Sequence, residues 1–356
     1  MKAGWFEKKI NEISSIGGYQ KPELQRDSLK LDSNENYVIP KQFQSDIISG
    51  VRKNSDVREY PLGGVERLIQ TISKFIKIPS SLIGVGNGSD QILDMILSNF
   101  ASKQTKILTS NPTFGFFEER CKLYSIPMIA LPFSNDMKLD IKEFIKQSKN
   151  ADILYLDSPN NPTGFQFSKN DLQKLIISFD GLVIIDEAYG DFSNYSLASM
   201  AKSQKNLVVV QTVSKSFGLA GLRLGYFIAN KQFTEAFNKV LQYPYPLSTI
   251  TIESGILALE KPQQMKDAVQ IIKKERTRMI ENLRKYNAFE VFDSEANFVL
   301  FDAHGSYSRV YTALLEQGIS IRKLGKIGNH EGCLRVTIGT KEMNSKFLLA
   351  IRDLLR

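Results

Sequence analysis

Four short apolar runs, each bounded by turn-forming residues, limit most strongly what this chain can fold into. They span residues 106–112, 152–160, 181–189 and 206–214. None of them alternates polar and apolar side chains, as a strand with one solvated face does. Uninterrupted apolar runs of this length indicate strands buried on both faces, as in a parallel sheet covered by helices. We therefore expect a parallel sheet at the centre of the fold.

Segments with helical character precede or separate these strands, at residues 89–101, 114–126 and 168–179. In the last segment Ser168 is a suitable N-cap, and apolar residues recur with helical spacing. Strands that alternate with helices predict an α/β fold with right-handed connections.

The pattern changes after Pro246. A long helical stretch over residues 251–285, broken near Pro262, precedes two stretches that alternate more strongly, at 289–303 and 333–340. Because these stretches alternate more than the earlier runs, we predict that they belong to a smaller α+β domain. The predicted division is a large domain of residues 46–250 and a small domain formed by residues 1–45 and 251–356.

Charge and hydropathy argue against several classes of protein. The 46 basic and 38 acidic residues give a net charge of +8 and a pI near 9.2. The densest basic run, residues 273–278, contains an acidic residue and is typical of a solvated helix face, so we expect no nucleic-acid partner. The sequence has no apolar stretch of about 18 residues, and residues 1–15 lack the apolar core of a signal peptide. We expect no membrane association and a cytoplasmic location.

The cysteine and histidine content is low. Two cysteines, Cys121 and Cys333, cannot build a disulfide framework, which favours a reducing compartment. The only histidines are His304 and His330, and no Cys/His cluster is present. We therefore expect no metal site.

Polar side chains follow the predicted strands, where ligands bind in open α/β sheets. Gly88, Ser89 and Asp90 open the helix at 89–101, whose free N–H groups favour an anion. Asn161 lies in the turn SPNNPTG, after the run that begins at residue 152. Taken alone, the first motif is better explained by an ordinary capped turn, and the second is equally consistent with turn chemistry.

Two further strand ends carry charged residues. Asp186 closes an apolar run, where a carboxylate is costly unless a charged group pairs with it, and Tyr189 follows three residues later. A helix N-cap or an Asp–Glu metal pair are the alternatives for Asp186. Lys215 follows Ser214 at the end of the last run, and Arg223 lies eight residues further on. Burial lowers the pKa of such a lysine, as Schiff-base chemistry requires, although a surface position suits any single lysine.

One cofactor, pyridoxal 5′-phosphate, accounts for all of these residues together. It has an aldehyde, a phosphate, a ring nitrogen and a ring hydroxyl, and its flat ring suits an aromatic neighbour. The predicted contacts are Lys215 for the aldehyde, Gly88, Ser89 and Ser214 for the phosphate, Asp186 for the ring nitrogen, Asn161 and Tyr189 for the hydroxyl, and Phe114 for the ring face.

The motifs SPNNPTG, DEAY, SKSFGLAGLRLGY, YPLST and LRVTIGT resemble, in this order, those of the fold-type-I pyridoxal-phosphate aminotransferases. GGYQ and LDSNEN near the N-terminus resemble the opening of the histidinol-phosphate aminotransferase subgroup. The resemblance extends from about Tyr19 to Thr340. It implies a large domain with a mostly parallel central sheet covered by helices, a smaller α+β domain, and a homodimer with shared active sites.

The resemblance also implies a role for each matching residue. Lys215 resembles the lysine that holds the cofactor as a Schiff base and transfers the proton, and Asp186 resembles the partner of the ring nitrogen. The remaining matches are Asn161 and Tyr189 at the ring hydroxyl, Ser89, Asp90, Ser214 and Arg223 around the phosphate, Tyr60 reaching the partner subunit's cofactor phosphate, and Tyr19, Asn36, Arg322 and Arg335 at the substrate.

Two positions depart from the pattern of the subgroup. Phe114 stands where a tyrosine is frequent, so ring stacking is retained and a hydroxyl contact is lost. Asn87 stands where an arginine is frequent in the Gly-x-Gly turn. Both departures bear on the substrate and neither on the chemistry.

The function implied is a ping-pong transamination between L-histidinol phosphate and 2-oxoglutarate, giving imidazole acetol phosphate and L-glutamate. Two alternatives use the same scaffold. One is an aminotransferase for aromatic amino acids or another phosphorylated amine, since one arginine can bind a carboxylate or a phosphate. The other is a pyridoxal-phosphate decarboxylase of the threonine-phosphate type.

Overall fold

The computed structural model describes residues 4–18 and 28–356. The helices of the described residues are α1 Trp5–Ser15, α2 Lys41–Asn54, α3 Gly64–Ile76, α4 Gly88–Phe100, α5 Gly115–Leu123, α6 Ile141–Gln147, α7 Lys169–Ser178, α8 Lys231–Ala236, α9 Thr249–Leu259, α10 Gln263–Leu283, α11 Tyr307–Glu316 and α12 Lys341–Leu354. The strands are β1 Leu29–Leu31, β2 Ile83–Asn87, β3 Ile107–Asn111, β4 Met128–Pro132, β5 Ile153–Asp157, β6 Leu182–Asp186, β7 Leu207–Thr212, β8 Leu224–Ile228, β9 Glu290–Val291, β10 Phe298–Asp302, β11 Ile319–Ile327 and β12 His330–Thr337.

A seven-stranded sheet forms the centre of the fold, in the order β2-β8-β7-β6-β5-β3-β4. The strands β3 to β7 pair in parallel, and β8 runs antiparallel to its neighbours β2 and β7. The four apolar runs are the strands β3, β5, β6 and β7, and all five residues of β5 are buried. The prediction of parallel strands buried on both faces is confirmed.

The predicted helices between these strands are also present. Helices α4, α5 and α7 occupy the three segments predicted from periodicity. The Ser168 side chain caps α7 by accepting a hydrogen bond from the Asp171 N–H. The long stretch after residue 250 is two helices, α9 and α10, and Pro262 stands at the break as the N-cap residue of α10.

A second sheet of five strands has the order β1-β11-β12-β10-β9. Its strands pair antiparallel except at one edge, where β1 lies parallel to β11 with Leu29 opposite Ile319. Residues from both ends of the chain therefore build this sheet. The division into domains at residues 45 and 250 stays a prediction. None of the helices in the described ranges is long and apolar enough to cross a membrane.

Candidate active site

A cavity of about 280 Å³ lies where the carboxyl ends of β5, β6 and β7 face the five-stranded sheet. It is lined by Asp32, Ser33, Asn34, Ser89, Asp90, Phe114, Phe116, Asp157, Asn161, Asp186, Ala188, Tyr189, Thr212, Ser214, Lys215, Ala220, Arg223, Arg322 and Arg335. Eleven of the residues predicted from sequence are among them. The fold thus brings together, in one cavity, side chains that lie as far apart in the chain as Ser89 and Arg335.

Lys215 enters the cavity from the turn that follows β7. Its Nζ donates a hydrogen bond of 3.1 Å to the carbonyl oxygen of Ser33, and it lies 5.7 Å from the centre of the Tyr189 ring. The amine is therefore held between the N-terminal segment and the residues that follow β6. This is the position from which it can react with a carbonyl group in the cavity.

Asp186 ends β6 and is buried. Within the described residues its carboxylate accepts hydrogen bonds from two neutral groups, the Ala188 N–H at 3.0 Å and the Tyr155 hydroxyl at 3.3 Å. Burial, together with the nearby Asp157 carboxyl, raises the pKa of Asp186 to about 7. A cationic group in the cavity would favour the ionised form of this carboxylate.

Asp157 is a buried cavity residue that our sequence reasoning missed. It ends β5 and lies opposite Asp186 in the strand pairing. Its carboxylate accepts hydrogen bonds from the Thr113 hydroxyl, the Asn160 side chain and the Asn161 backbone N–H, at 2.7–2.9 Å. Burial raises its pKa to about 6. Its place at the end of a buried strand, the signal that identified Asp186, could have identified it.

A hydrogen-bond network fixes the side chains on the opposite wall of the cavity. The Asn34 amide donates to the Tyr189 hydroxyl at 2.9 Å. Arg335 donates to the Asn161 side-chain oxygen and, at 2.9 Å, to the carbonyl oxygen of Asp32. Burial raises the pKa of Tyr189 to about 12, so its hydroxyl keeps its proton at neutral pH. Asn34 and Asp32 were also missed, although both stand in the LDSNEN motif that we singled out.

The N-terminus of α4 and Arg223 form the end of the cavity suited to an anion. Ser89 and Asp90 lie in the first turn of this 13-residue helix, where backbone N–H groups have no partner within the helix. Arg223 lies beside them, with Nη2 2.7 Å from Asp90 Oδ2. Gly88 does not line the cavity, but it has φ +80°, and a Cβ atom there would lie 2.5 Å from Arg223 Nη2. A side chain at residue 88 would therefore displace the guanidinium.

Two arginines face each other on the five-stranded sheet. Arg322 on β11 and Arg335 on β12 are directly opposite in the antiparallel pairing, and both line the cavity. Like charges opposite each other destabilise a sheet unless an anion compensates them. Phe114 and Phe116 also line the cavity and offer it aromatic surface.

Two predicted site residues of the described ranges, Tyr60 and Asn36, lie elsewhere. Tyr60 is 71% exposed and stacks on Tyr245, with ring centroids 4.3 Å apart. Asn36 is buried outside the cavity lining, where its amide donates to the carbonyl oxygen of Ser216 at 2.7 Å. It therefore fixes the turn that carries the catalytic lysine candidate. Tyr19 lies outside the described residues.

The residues in the cavity fit pyridoxal phosphate. Lys215 provides the amine for its aldehyde, and Asp186 provides a buried carboxylate whose ionised form needs a cation such as the protonated ring nitrogen. The start of α4 and Arg223 provide donors for its phosphate. Each reactive group of the cofactor thus has a partner of matching chemistry.

Comparisons with known proteins identify the family. A protein from Pyrococcus furiosus described as histidinol-phosphate aminotransferase is 35% identical over 91% of this chain and 92% of its own length. A protein of the same description from Thermoanaerobacter pseudethanolicus is 32% identical over 92% and 93%. The crystal structure of the histidinol-phosphate aminotransferase from Clostridium acetobutylicum superposes with a TM-score of 0.82 at 27% identity, covering 91% of this chain and 98% of that one.

The similarity is not confined to the strand-end motifs. The fold is that of the fold-type-I pyridoxal-phosphate transferases, as predicted. The model of the family described as aminotransferase class I and II matches residues 26–351, which include every described residue that lines the cavity. The chain belongs to the class I and II aminotransferase family.

Proposed function

We propose that this aminotransferase uses pyridoxal phosphate to transfer the amino group of L-histidinol phosphate to 2-oxoglutarate, in a ping-pong reaction. The products are imidazole acetol phosphate and L-glutamate. The names of the relatives from Pyrococcus furiosus and Thermoanaerobacter pseudethanolicus support this assignment, since both are similar to this chain over most of its length.

The pairing of Arg322 with Arg335 is the observation that carries the choice of substrate. Two guanidinium groups opposite each other in one sheet favour a ligand with more than one negative charge. A phosphate monoester meets this need, and a planar guanidinium binds it with two parallel hydrogen bonds. In the second half-reaction Arg335 binds a carboxylate of 2-oxoglutarate.

The remaining residues divide the chemistry among them. When bound, pyridoxal phosphate supplies an electrophilic carbonyl and an electron sink. The Lys215 amine moves the proton of the substrate carbon, since it is the basic group beside the Tyr189 ring. Asp186 would hold a proton on the ring nitrogen, and Asn161 and Tyr189 would orient the ring by hydrogen bonds. Phe114 would offer an aromatic surface to the ring face.

We also propose that two copies of the chain form a homodimer in which Tyr60 reaches the cofactor phosphate of the partner subunit. Tyr60 belongs to an exposed apolar group that also contains Val57 at 70% and Leu62 at 81% exposure. Large apolar side chains exposed together mark surfaces that bind proteins. Val57 and Leu62 are close to Tyr60 in sequence, which supports an interface around Tyr60.

A single-turnover experiment tests the reaction and the substrate together. Cofactor-loaded protein is mixed with L-histidinol phosphate without an oxo acid, and the visible absorption of the lysine-bound cofactor is followed. The band should decay to that of the pyridoxamine form and return when 2-oxoglutarate is added. A band that responds to aromatic amino acids and not to histidinol phosphate would contradict the substrate. Release of carbon dioxide from threonine phosphate would assign the decarboxylase reaction instead.

A further inference from the structure

A cluster of potential metal ligands lies at the edge of the five-stranded sheet, outside the cavity. It consists of Glu290 on β9, Asp302 at the end of β10 and His330 at the start of β12. One donor atom from each lies within 4.8 Å of the other two, and residues 4–18 and 28–356 contain no other group of this kind. His330 Nδ1 is 3.2 Å from Asp302 Oδ2 and 3.5 Å from Glu290 Oε2.

The hydrogen bonds of His330 determine what can occupy the space between these atoms. Its Nε2 is 2.7 Å from the carbonyl oxygen of Asn135, which can only accept a hydrogen bond. Nε2 therefore carries a proton, and in the neutral ring the lone pair of Nδ1 points towards two carboxylates. Such an arrangement is repulsive unless a cation lies between the three groups. That cation is either a second ring proton or a metal ion.

The surroundings of the cluster are those of a metal site. Asp302 Oδ1 accepts hydrogen bonds from the backbone N–H groups of His304 at 2.7 Å and Gly332 at 3.0 Å. Oδ2 lies 3.2 Å from His330 Nδ1 and 3.2 Å from Nδ1 of the exposed His304 side chain. A metal-bound histidine usually donates its second ring N–H to a carbonyl, and its carboxylate neighbours are themselves hydrogen-bonded. Asp302 and His330 are buried, whereas the Glu290 side chain is about half exposed and gives an ion access from solvent.

The distances favour a metal ion over a second proton. Charge-assisted hydrogen bonds between nitrogen and carboxylate oxygen are about 2.7–2.9 Å long. The 3.2 Å separation from Asp302 is at the upper limit of N–H···O hydrogen bonds, and the 3.5 Å separation from Glu290 is beyond it. They match the spacing of roughly 3.3 Å between two ligand atoms that each lie about 2.0 Å from a tetrahedral zinc ion.

We propose that Glu290, Asp302 and His330 bind a divalent transition-metal ion, for which Zn²⁺ is the best match to one imidazole nitrogen and two carboxylate oxygens. The fourth ligand is a water molecule. Asn135 lies in the loop between β4 and α6, next to the seven-stranded sheet. An ion bound to His330 therefore strengthens the contact between the five-stranded sheet and the loop that contains Asn135. None of the three ligands lines the cavity, so the site is independent of the proposed reaction.

The test measures zinc bound to the full-length, cofactor-loaded protein, purified without a histidine tag. After treatment with a chelator, the protein is titrated with Zn²⁺ in competition with a chromophoric zinc indicator. We expect one ion per chain and an affinity lower by at least about tenfold in Glu290→Gln, since even outer-shell changes cost 10–100-fold. Glu331→Gln is the matched control, because Glu331 is an exposed carboxylate beside His330 that bonds to Lys326.

Glu290→Gln is the informative variant because the Glu290 side chain is half exposed. The substitution therefore leaves the core intact, and a change in zinc affinity reports on the metal site. Saturating Zn²⁺ should also raise the melting temperature of the wild-type protein and of Glu331→Gln, and not that of Glu290→Gln. Absence of bound zinc, or equal affinities in Glu290→Gln and Glu331→Gln, would overturn the proposal. The cluster would then be an ion-paired triad around a doubly protonated imidazole. Either of those results would leave transamination unaffected.

Discussion

Replacing Asp186 with asparagine should stabilise the cofactor-free protein above neutral pH while removing its activity. In the cofactor-free wild-type protein, burial and the neighbouring Asp157 raise the pKa of the Asp186 carboxyl from 3.8 to about 7. In the unfolded chain the same carboxyl has an ordinary pKa of about 3.9. Ionising Asp186 is therefore more costly in the folded state, and the folded protein loses stability as the pH rises.

The magnitude follows from the size of this pKa shift. Between about pH 4 and pH 7 the native state holds a proton that the unfolded state has released, so the free energy of unfolding falls as the pH rises. A shift from 3.8 to about 7 corresponds to about 4 kcal/mol, at 1.36 kcal/mol per unit. About 3 kcal/mol of this loss develops between about pH 5 and pH 7. Asparagine does not ionise, so the free energy of unfolding of Asp186→Asn lacks this decrease with pH.

Urea unfolding of the cofactor-free proteins, followed by circular dichroism, measures the effect. The free energy of unfolding of Asp186→Asn minus that of the wild type should be about 3 kcal/mol larger at about pH 8 than at about pH 5. Asp46→Asn is the control, because Asp46 is an exposed carboxylate on α2, and it should follow the wild type. A gain that is the same at both pH values would refute the reasoning. Bound cofactor should reverse the order of stability, since the ring nitrogen then pairs with Asp186.

Further predictions concern the amine, the substrate, the phosphate and the interface. Lys215→Ala should abolish turnover and the absorption band of the lysine-bound cofactor in a folded protein, and retained turnover would contradict its role. Arg322→Ala should raise KM for histidinol phosphate far more than KM for 2-oxoglutarate in steady-state assays, whereas Lys323→Ala, on the opposite face of β11, should change neither. Gly88→Ala should weaken cofactor binding roughly tenfold, because the new Cβ displaces Arg223 and a hydrogen bond to a charged group contributes about 1.5–3 kcal/mol; unchanged affinity in a cofactor titration would count against the phosphate site. Tyr60→Phe should release cofactor faster from the dimer, and equal cofactor retention by an isolated monomer would disprove a shared site.

The parts of the fold that follow from local pattern were predictable from the sequence. The strands β5, β6 and β7 are continuous apolar runs, and each ends in polar residues that line the cavity, so both the sheet and its ligand-binding edge could be inferred. The cap of α7 by Ser168 is likewise a local interaction, formed within three residues.

The parts that depend on distant contacts were not predictable. Nothing near Asn34 in sequence indicates that its amide reaches Tyr189, 155 residues away. Asn36 was assigned to the substrate from its motif, but its side chain bonds to the backbone that follows Lys215. The convergence of Glu290, Asp302 and His330 requires the register of three strands, which composition and spacing do not determine.

The parallel pairing of β1 with β11 sets a time at which the site can first form during synthesis. Leu29 leaves the ribosome 290 residues before its partner Ile319. At a synthesis rate of roughly 5–20 residues per second, β11 is made about 15–60 s after β1. Until then β1 has no sheet partner, although all seven strands of the central sheet have already been made. A nascent chain of this protein therefore carries its reactive lysine, without the sheet that encloses it, while residues 216–319 are made.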